Sequence, residues 1–336
     1  MGWYPLEVPA GVCRRALSLP QGDGAAAGSA PIKPQRTAIL LAFLTLYVVW
    51  GSTYLGIRIA VETLPPFLLA GARFTIAGSA MLLWAWSRGT RLPTQREWLG
   101  AAGVGFCLVT LSNALIVYVE ERIPSGVVAL FAAGSPLLIA LFTRQRTGVP
   151  LGNRRIGGLA LGTIGLILLG SATLTAVHDV PRLVLIAIAM IAWGVGATYG
   201  RDWPHAPDLL MSSGAQMLAG GLIALTAGTL LGEISAFDPH AVSLRSVLAW
   251  SYLTVFGSML AYTVFQWLMS HVDATAVASY TYINPIVALG LGALFAGERI
   301  GGRVVAATAL LVPAVVLVVT GGATATGAAD THSADR

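Results

Sequence analysis

Apolar stretches of about 20 residues recur along most of this 336-residue chain. A run of that length crosses ~30 Å of hydrocarbon as a helix. Lipid gives a backbone N–H or C=O no partner, so each run must satisfy its own hydrogen bonds and be helical. Only 10% of the residues are charged and 56% are hydrophobic, whereas a soluble domain carries about 25% charged residues. Too few charges remain to cover a water-facing surface. The chain therefore reads as an all-α polytopic membrane protein. Ten transmembrane helices are expected, at 37–60, 65–86, 97–119, 125–143, 155–175, 182–200, 209–232, 246–269, 275–296 and 302–321. The Gly/Ala/Pro-rich segment 1–36 lacks the apolar core of a signal peptide. It reads as a disordered cytoplasmic tail, as does 322–336.

The net charge of +5 would suggest nucleic acid in a soluble protein. Here the basic residues sit mainly in short loops, where they set topology, and no nucleic-acid motif is present. With both termini on the cytoplasmic side, 13 cations fall inside and 6 outside, leaving Arg73 within a span. Cys13 and Cys107 lie too far apart in setting for a structural disulfide, and the five histidines have no metal-ligand spacing. No metal and no cofactor are expected. No nucleophile–base constellation, phosphate-binding glycine loop or intramembrane carboxylate pair argues for an enzyme.

The chain repeats itself. Trp50-Gly51 recurs as Trp193-Gly194, at an offset of 143 residues. At the same offset Gly71-Ala72-Arg73 meets Gly214-Ala215-Gln216, Gly78 meets Gly221 and Leu82 meets Leu225. Further on the offset is 149, where Ala129 meets Ala278, Pro136 meets Pro285 and Gly148 meets Gly297. Five spans per copy is odd, so the second copy enters from the opposite face. Loops 2–3 and 4–5 carry seven arginines, and their counterparts only three, with Glu233, Asp238 and Glu298 added. Inverted repeats of this kind recur in secondary transporters, with the substrate near the midplane between halves.

The run WGSTYLGIRIAVETLPPFLLAGARF (50–74) and the ending YTYINPIVALGLGALFAGERIGG (280–302) resemble the EamA domain of the drug/metabolite transporter superfamily. The resemblance covers residues 37–321. It implies two inverted five-helix repeats (37–175 and 182–321), a bacterial inner-membrane location and transport of small metabolites, often export of amino acids. The chain departs from the pattern in copy one, where Val149 stands at the acidic position of the Gly-Glu pair. Any role of that glutamate carries over only to Glu298.

Transport needs polar groups on a cavity at midmembrane depth. The expected wall includes Trp50, Asn113, Trp193, Tyr199, Tyr262, Tyr282 and Asn284, with Pro136 and Pro285 as kinks or gates. Isolated Ser and Thr residues are read as helix packing. For Trp50 and Trp193 an interfacial position and a cavity position both stand; in a cavity their rings would stack on planar or apolar groups. Pro285 leaves a carbonyl one turn earlier without its donor, beside Asn284. Arg73 has two readings: a structural cation bonded to helix carbonyls or to a span-end carboxylate such as Glu62 or Glu120, or a cavity cation for a substrate carboxylate. Gln216 is its counterpart in the second copy. No carboxylate is expected at a span centre, which disfavours antiport of cationic drugs. The expectation is an exporter of amino acids or related neutral or zwitterionic solutes. An importer, a facilitator or channel, and proton-coupled drug efflux remain alternatives. The partners are a small-molecule substrate and the lipid bilayer, and monomer and homodimer are both open.

Overall fold

A computed structural model describes residues 36–123, 125–170, 179–296 and 302–321. The tails expected before residue 36 and after 321, Cys13, and the Gly297-Glu298 pair lie outside the described residues. All regular structure among the described residues is helical. Six helices are long and apolar enough to cross a membrane, and Val305–Thr320 is a shorter apolar helix. The chain is a polytopic membrane protein.

The helices are α1 (Arg36–Ala60), α2 (Pro66–Ser87), α3 (Gln95–Glu120), α4 (Ser125–Ala132), α5 (Ser135–Thr147) and α6 (Asn153–Gly170). They continue as α7 (Val180–Tyr199), α8 (Leu209–Leu230), α9 (Leu244–His271), α10 (Tyr280–Ala296) and α11 (Gly302–Thr320). The stretch expected as one span at 125–143 is two helices, broken at Ala133-Gly134. Pro136 therefore sits in the first turn of α5, where a missing N–H costs nothing. It starts a helix and does not kink one. Pro285 does lie inside its helix, so the two prolines match in sequence and differ in local geometry.

Sequence-local signals set the ends. Thr94 and Glu97 form a capping box at α3. Asp179, Asp208 and Ser243 cap α7, α8 and α9. The Arg182 guanidinium holds the Asp179 carboxyl below its ordinary range. α2 starts at Pro65-Pro66 without a local cap. Glu233, far along the chain, accepts from the Phe67 and Leu68 amides at 3.1 and 2.9 Å. A carboxylate there also meets the positive end of the helix dipole. Glu233→Ala is expected to lower stability by about 1 kcal/mol, read as a reduced midpoint in thermal melts of the detergent-solubilised protein.

Glycines set the central packing. A Cβ at Gly78 would stand 2.5 Å from Leu218 N and 2.7 Å from Gly214 O. One at Gly221 would meet Thr75 N at 2.6 Å and Gly71 O at 3.0 Å. The α2 and α8 backbones thus touch directly, as small-residue interfaces allow in lipid. The contact is reciprocal: Gly71 faces Leu225, and Gly214 faces Leu82. α6 and α11 meet the same way, Gly158 against Ala314 O.

α1 runs antiparallel to α9, with Ser246 Oγ on Ile59 O, Gly56 against Leu253, and Trp50 Nε1 on Gly257 O. This pairing separates two faces. The first carries Arg146–Asp202 and Arg155–Asp273 ion pairs, at 2.5 and 3.1 Å. The second carries the Glu233 cap and the Glu62–Arg245 pair at 3.4 Å. Both α3 and α9 contain a π-helical stretch, Phe106–Ala114 and Leu253–Leu260. Such wider turns concentrate at functional sites, and here both border one cavity.

Candidate functional site

Between the helices lies a cavity of about 90 Å³. α1 contributes Trp50, Thr53 and Tyr54, α2 contributes Arg73, and the π stretch of α3 contributes Ser112 and Asn113. Trp193 of α7, Gly257 and Tyr262 of α9, and Tyr280 and Asn284 of α10 close it. Trp50, Arg73, Asn113, Trp193, Tyr262 and Asn284 are candidates from sequence, and the structure brings all six to this cavity.

One side of the cavity is aromatic. The rings of Trp50 and Trp193, equivalent positions of the sequence repeat, meet edge to face at 5.6 Å. Phe265 lies 5.2 and 5.3 Å from them, and Tyr280 is 4.8 Å from Trp50. Neither tryptophan is in an interfacial belt; Trp193 is buried. Trp50 is fixed by donating Nε1 to Gly257 O at 3.1 Å, a carbonyl in the π stretch of α9. Edge-to-face pairs add about 0.5–1.5 kcal/mol each beyond area burial, so this wall is rigid.

The opposite side is polar and under-satisfied. Arg73 is 2% exposed. Its Nε donates to Ser258 Oγ at 2.7 Å, and its guanidinium lies 4.7 Å from the Phe74 ring centroid. Nη1 is buried with no hydrogen-bond partner. None of the ion pairs among the described residues includes it. Glu62 pairs with Arg245 instead, and Glu120 bonds through its backbone carbonyl to Arg58 Nη1 at 2.9 Å. The structural pairing of Arg73 with either carboxylate is therefore not made. Asn113 Oδ1 and Asn284 Oδ1 are also buried without partners. Such groups cost about 1–3 kcal/mol each when left unmade.

With this geometry in view, comparison with known proteins is decisive. The EamA-like transporter family matches the chain twice, over residues 36–171 and 181–320. The chain belongs to the EamA-like transporter family. It is a multi-pass membrane transporter of the drug/metabolite superfamily. It is similar to the uncharacterized inner membrane transporter YedA of Escherichia coli K12, 36% identical over 281 residues, covering 83% of this chain and 90% of YedA. The uncharacterized transporter YvbV of Bacillus subtilis is 26% identical, over 84% of this chain and 91% of its own. Protein PecM of Dickeya dadantii is 28% identical, over 80% and 88%. A solved crystal structure at 22% identity shares the fold, with TM-score 0.68 over 84% of this chain and 96% of that one.

Three other expected residues of this EamA transporter stand away from the central cavity. Tyr199 packs on Phe142, its hydroxyl 3.5 Å from Gln145 Oε1. Tyr282 is buried against Gly162 of α6. Gln216 lines a second cavity of about 430 Å³, toward the first face, with Arg201, His205 and Gln266. It is tied to the central one: Gln216 Oε1 accepts from Tyr262 at 2.8 Å and from Gln266 at 2.5 Å. Tyr262 thus separates the two cavities. Tyr262→Phe keeps the ring and removes this donor, so it is expected to cost about 1 kcal/mol, read by thermal melting in detergent. Sequence reasoning missed Ser258 and Phe265, because the π stretch of α9 shifts the helical face that its pattern of polar residues would indicate.

Proposed function

We propose that this EamA transporter exports amino acids or related zwitterionic compounds across the bacterial inner membrane. It works by alternating access between two inverted five-helix halves, residues 37–175 and 182–321, with ten spans and both termini cytoplasmic. The observation that carries the substrate class is Arg73: a cation on the cavity wall whose Nη1 has no partner and which has no carboxylate beside it among the described residues. A substrate carboxylate completes it, the two asparagine amides take the polar remainder, and the Trp50–Trp193 wall takes the apolar side. Charge-assisted bonds of this kind are about twice as strong as neutral ones. The inverted repeat is supported by the reciprocal glycine contacts, since positions 71 and 214 are equivalents and so are 82 and 225. An isologous contact of that type is what a two-fold relation produces. The loop charge asymmetry supports the orientation.

Flux in proteoliposomes with labelled amino acids, amines and nucleosides tests the reading. Gradient-driven movement of carboxylate-bearing zwitterions is expected; movement of amines alone, or of nothing, would count against it. Comparing the medium of cells with and without overexpression reads the direction.

A further inference from the structure

Glu120 ends α3 and, from sequence, stands at a span end. The structure buries it completely, at 0% exposure. Both carboxyl oxygens are buried and, among the described residues, lack a hydrogen-bond partner. An ionised carboxylate in that setting would forgo both hydration and pairing, a cost that proteins avoid by neutralising the group.

Its position relates it to transport. Asn113, Ile116 and Glu120 follow at spacings of three and four on α3, so Glu120 continues the cavity-lining face one turn toward the second face. On the cavity side stands Tyr54, which lines the cavity, interacts electrostatically with Glu120 and lies beside the Asn284 side chain. On the water side stands Arg58 of α1. Arg58 is exposed, and its Nη1 donates to the Glu120 and Glu121 backbone carbonyls at 2.9 and 3.3 Å. It makes no ion pair with the Glu120 side chain, so the cation is adjacent but engaged elsewhere.

The remaining neighbours do not neutralise Glu120. From α7 comes Arg182, which is paired with Asp179 and packs over Tyr118. Val128 and Ala132 of α4 and Ile186 and Ala189 of α7 pack with Ile116 and Val119 of this end of α3, all apolar. Glu121 and Arg122, next in the chain, are exposed.

We propose that Glu120 is a proton-binding site that couples solute movement to the proton gradient, occupied by a proton in this conformation. When the second face is open and the solute has left, the carboxylate, paired with Arg58, takes a proton from water on that side; the O–H bond forms, Arg58 returns to the backbone carbonyls and the face reseals. When the cavity then opens to the first face, the O–H bond breaks and the proton passes to water by way of the cavity, on the side where Tyr54 stands. The Asn284–Tyr54 pair links this event to the substrate cavity. The coupling half of this proposal rests on the transport reading above; the proton site itself does not.

Two measurements on the full chain separate the two. Infrared difference spectroscopy of the protein in lipid nanodiscs reads the carbonyl stretch of a protonated carboxylic acid. A band present at neutral pH in the wild type and absent in Glu120→Gln is expected. A wild type with no band removed by Glu120→Gln overturns the site, whatever solute is moved. In proteoliposomes loaded with the amino acids that the flux panel identifies, Glu120→Gln is expected to lose accumulation driven by a pH gradient and to retain counterflow exchange. Gln copies the neutral carboxyl in shape, and retained counterflow also establishes that the variant folds. Continued pH-driven accumulation by Glu120→Gln overturns the coupling. Glu120→Asp, which keeps the acid, is expected to restore pH-driven accumulation at least in part, and its failure to do so alongside retained counterflow would also count against the proposal. If the wild type moves no amino acid, the transport reading falls, and the infrared band still decides the proton site.

Discussion

Arg73→Gln should abolish most transport of carboxylate-bearing solutes while leaving the fold intact. Losing one partner of a buried, hydrogen-bonded charge pair costs about 2–5 kcal/mol, and each 1.4 kcal/mol is tenfold in affinity. Counterflow at low solute concentration should therefore fall by roughly 30-fold or more. The unliganded protein should behave differently. Among the described residues Arg73 is buried with one hydrogen bond and no counter-ion, and replacing an imperfectly paired buried charge is often neutral or stabilising. Glutamine is the residue at the equivalent position, 216, and its amide still reaches toward Ser258. The expected signature is an unchanged or raised melting temperature without solute, together with loss of the rise that solute produces in the wild type. A melting temperature that collapses without solute would make Arg73 a structural residue.

Gly78→Leu is the second large effect, and it acts on folding. The added Cβ would stand 2.5 Å from Leu218 N and 2.7 Å from Gly214 O. Both are backbone atoms of α8, so no rotamer change relieves the clash and the two helices must separate. Overpacking costs about 1–3 kcal/mol, occasionally more; with backbone as the obstacle the upper end applies, about 3 kcal/mol. Gly157→Ala is the control. Nothing lies within 4 Å of a Cβ there, and alanine is the better helix former by about 1 kcal/mol. Thermal melting of the detergent-solubilised variants should show a large drop for Gly78→Leu and none for Gly157→Ala. Equal behaviour would mean that α2 and α8 do not cross at Gly78.

What was legible in the sequence follows from period and repetition. Long apolar runs have one solution in lipid, so helix positions could be read directly, and the repeat flagged Trp50, Trp193 and Arg73 as matched or mismatched pairs before any coordinates. What was not legible depends on which face a side chain takes. Tyr199 and Tyr282 share composition with the wall residues and point to other neighbours. Ser258 and Gly257 sit in a π stretch, where an extra residue per turn defeats spacing arguments. Pro136 and Pro285 match in the repeat, but the chain breaks before one and runs through the other. In the sequence Glu120 reads as a span-end carboxylate, a candidate partner of Arg73. It is buried where this end of α3 meets α1 and α7, through tertiary contacts that no local pattern encodes.

The central claim is that the Arg73 guanidinium receives a substrate carboxylate. The most direct measurement compares binding of one amino acid and its carboxamide to the purified wild-type protein, by calorimetry. The two ligands share side chain and ammonium group and differ only in the charge offered to Arg73. The account predicts that the carboxamide binds at least tenfold more weakly, a difference of about 1.4 kcal/mol, and that Arg73→Gln erases the preference. Equal affinity of the wild type for both ligands would contradict it.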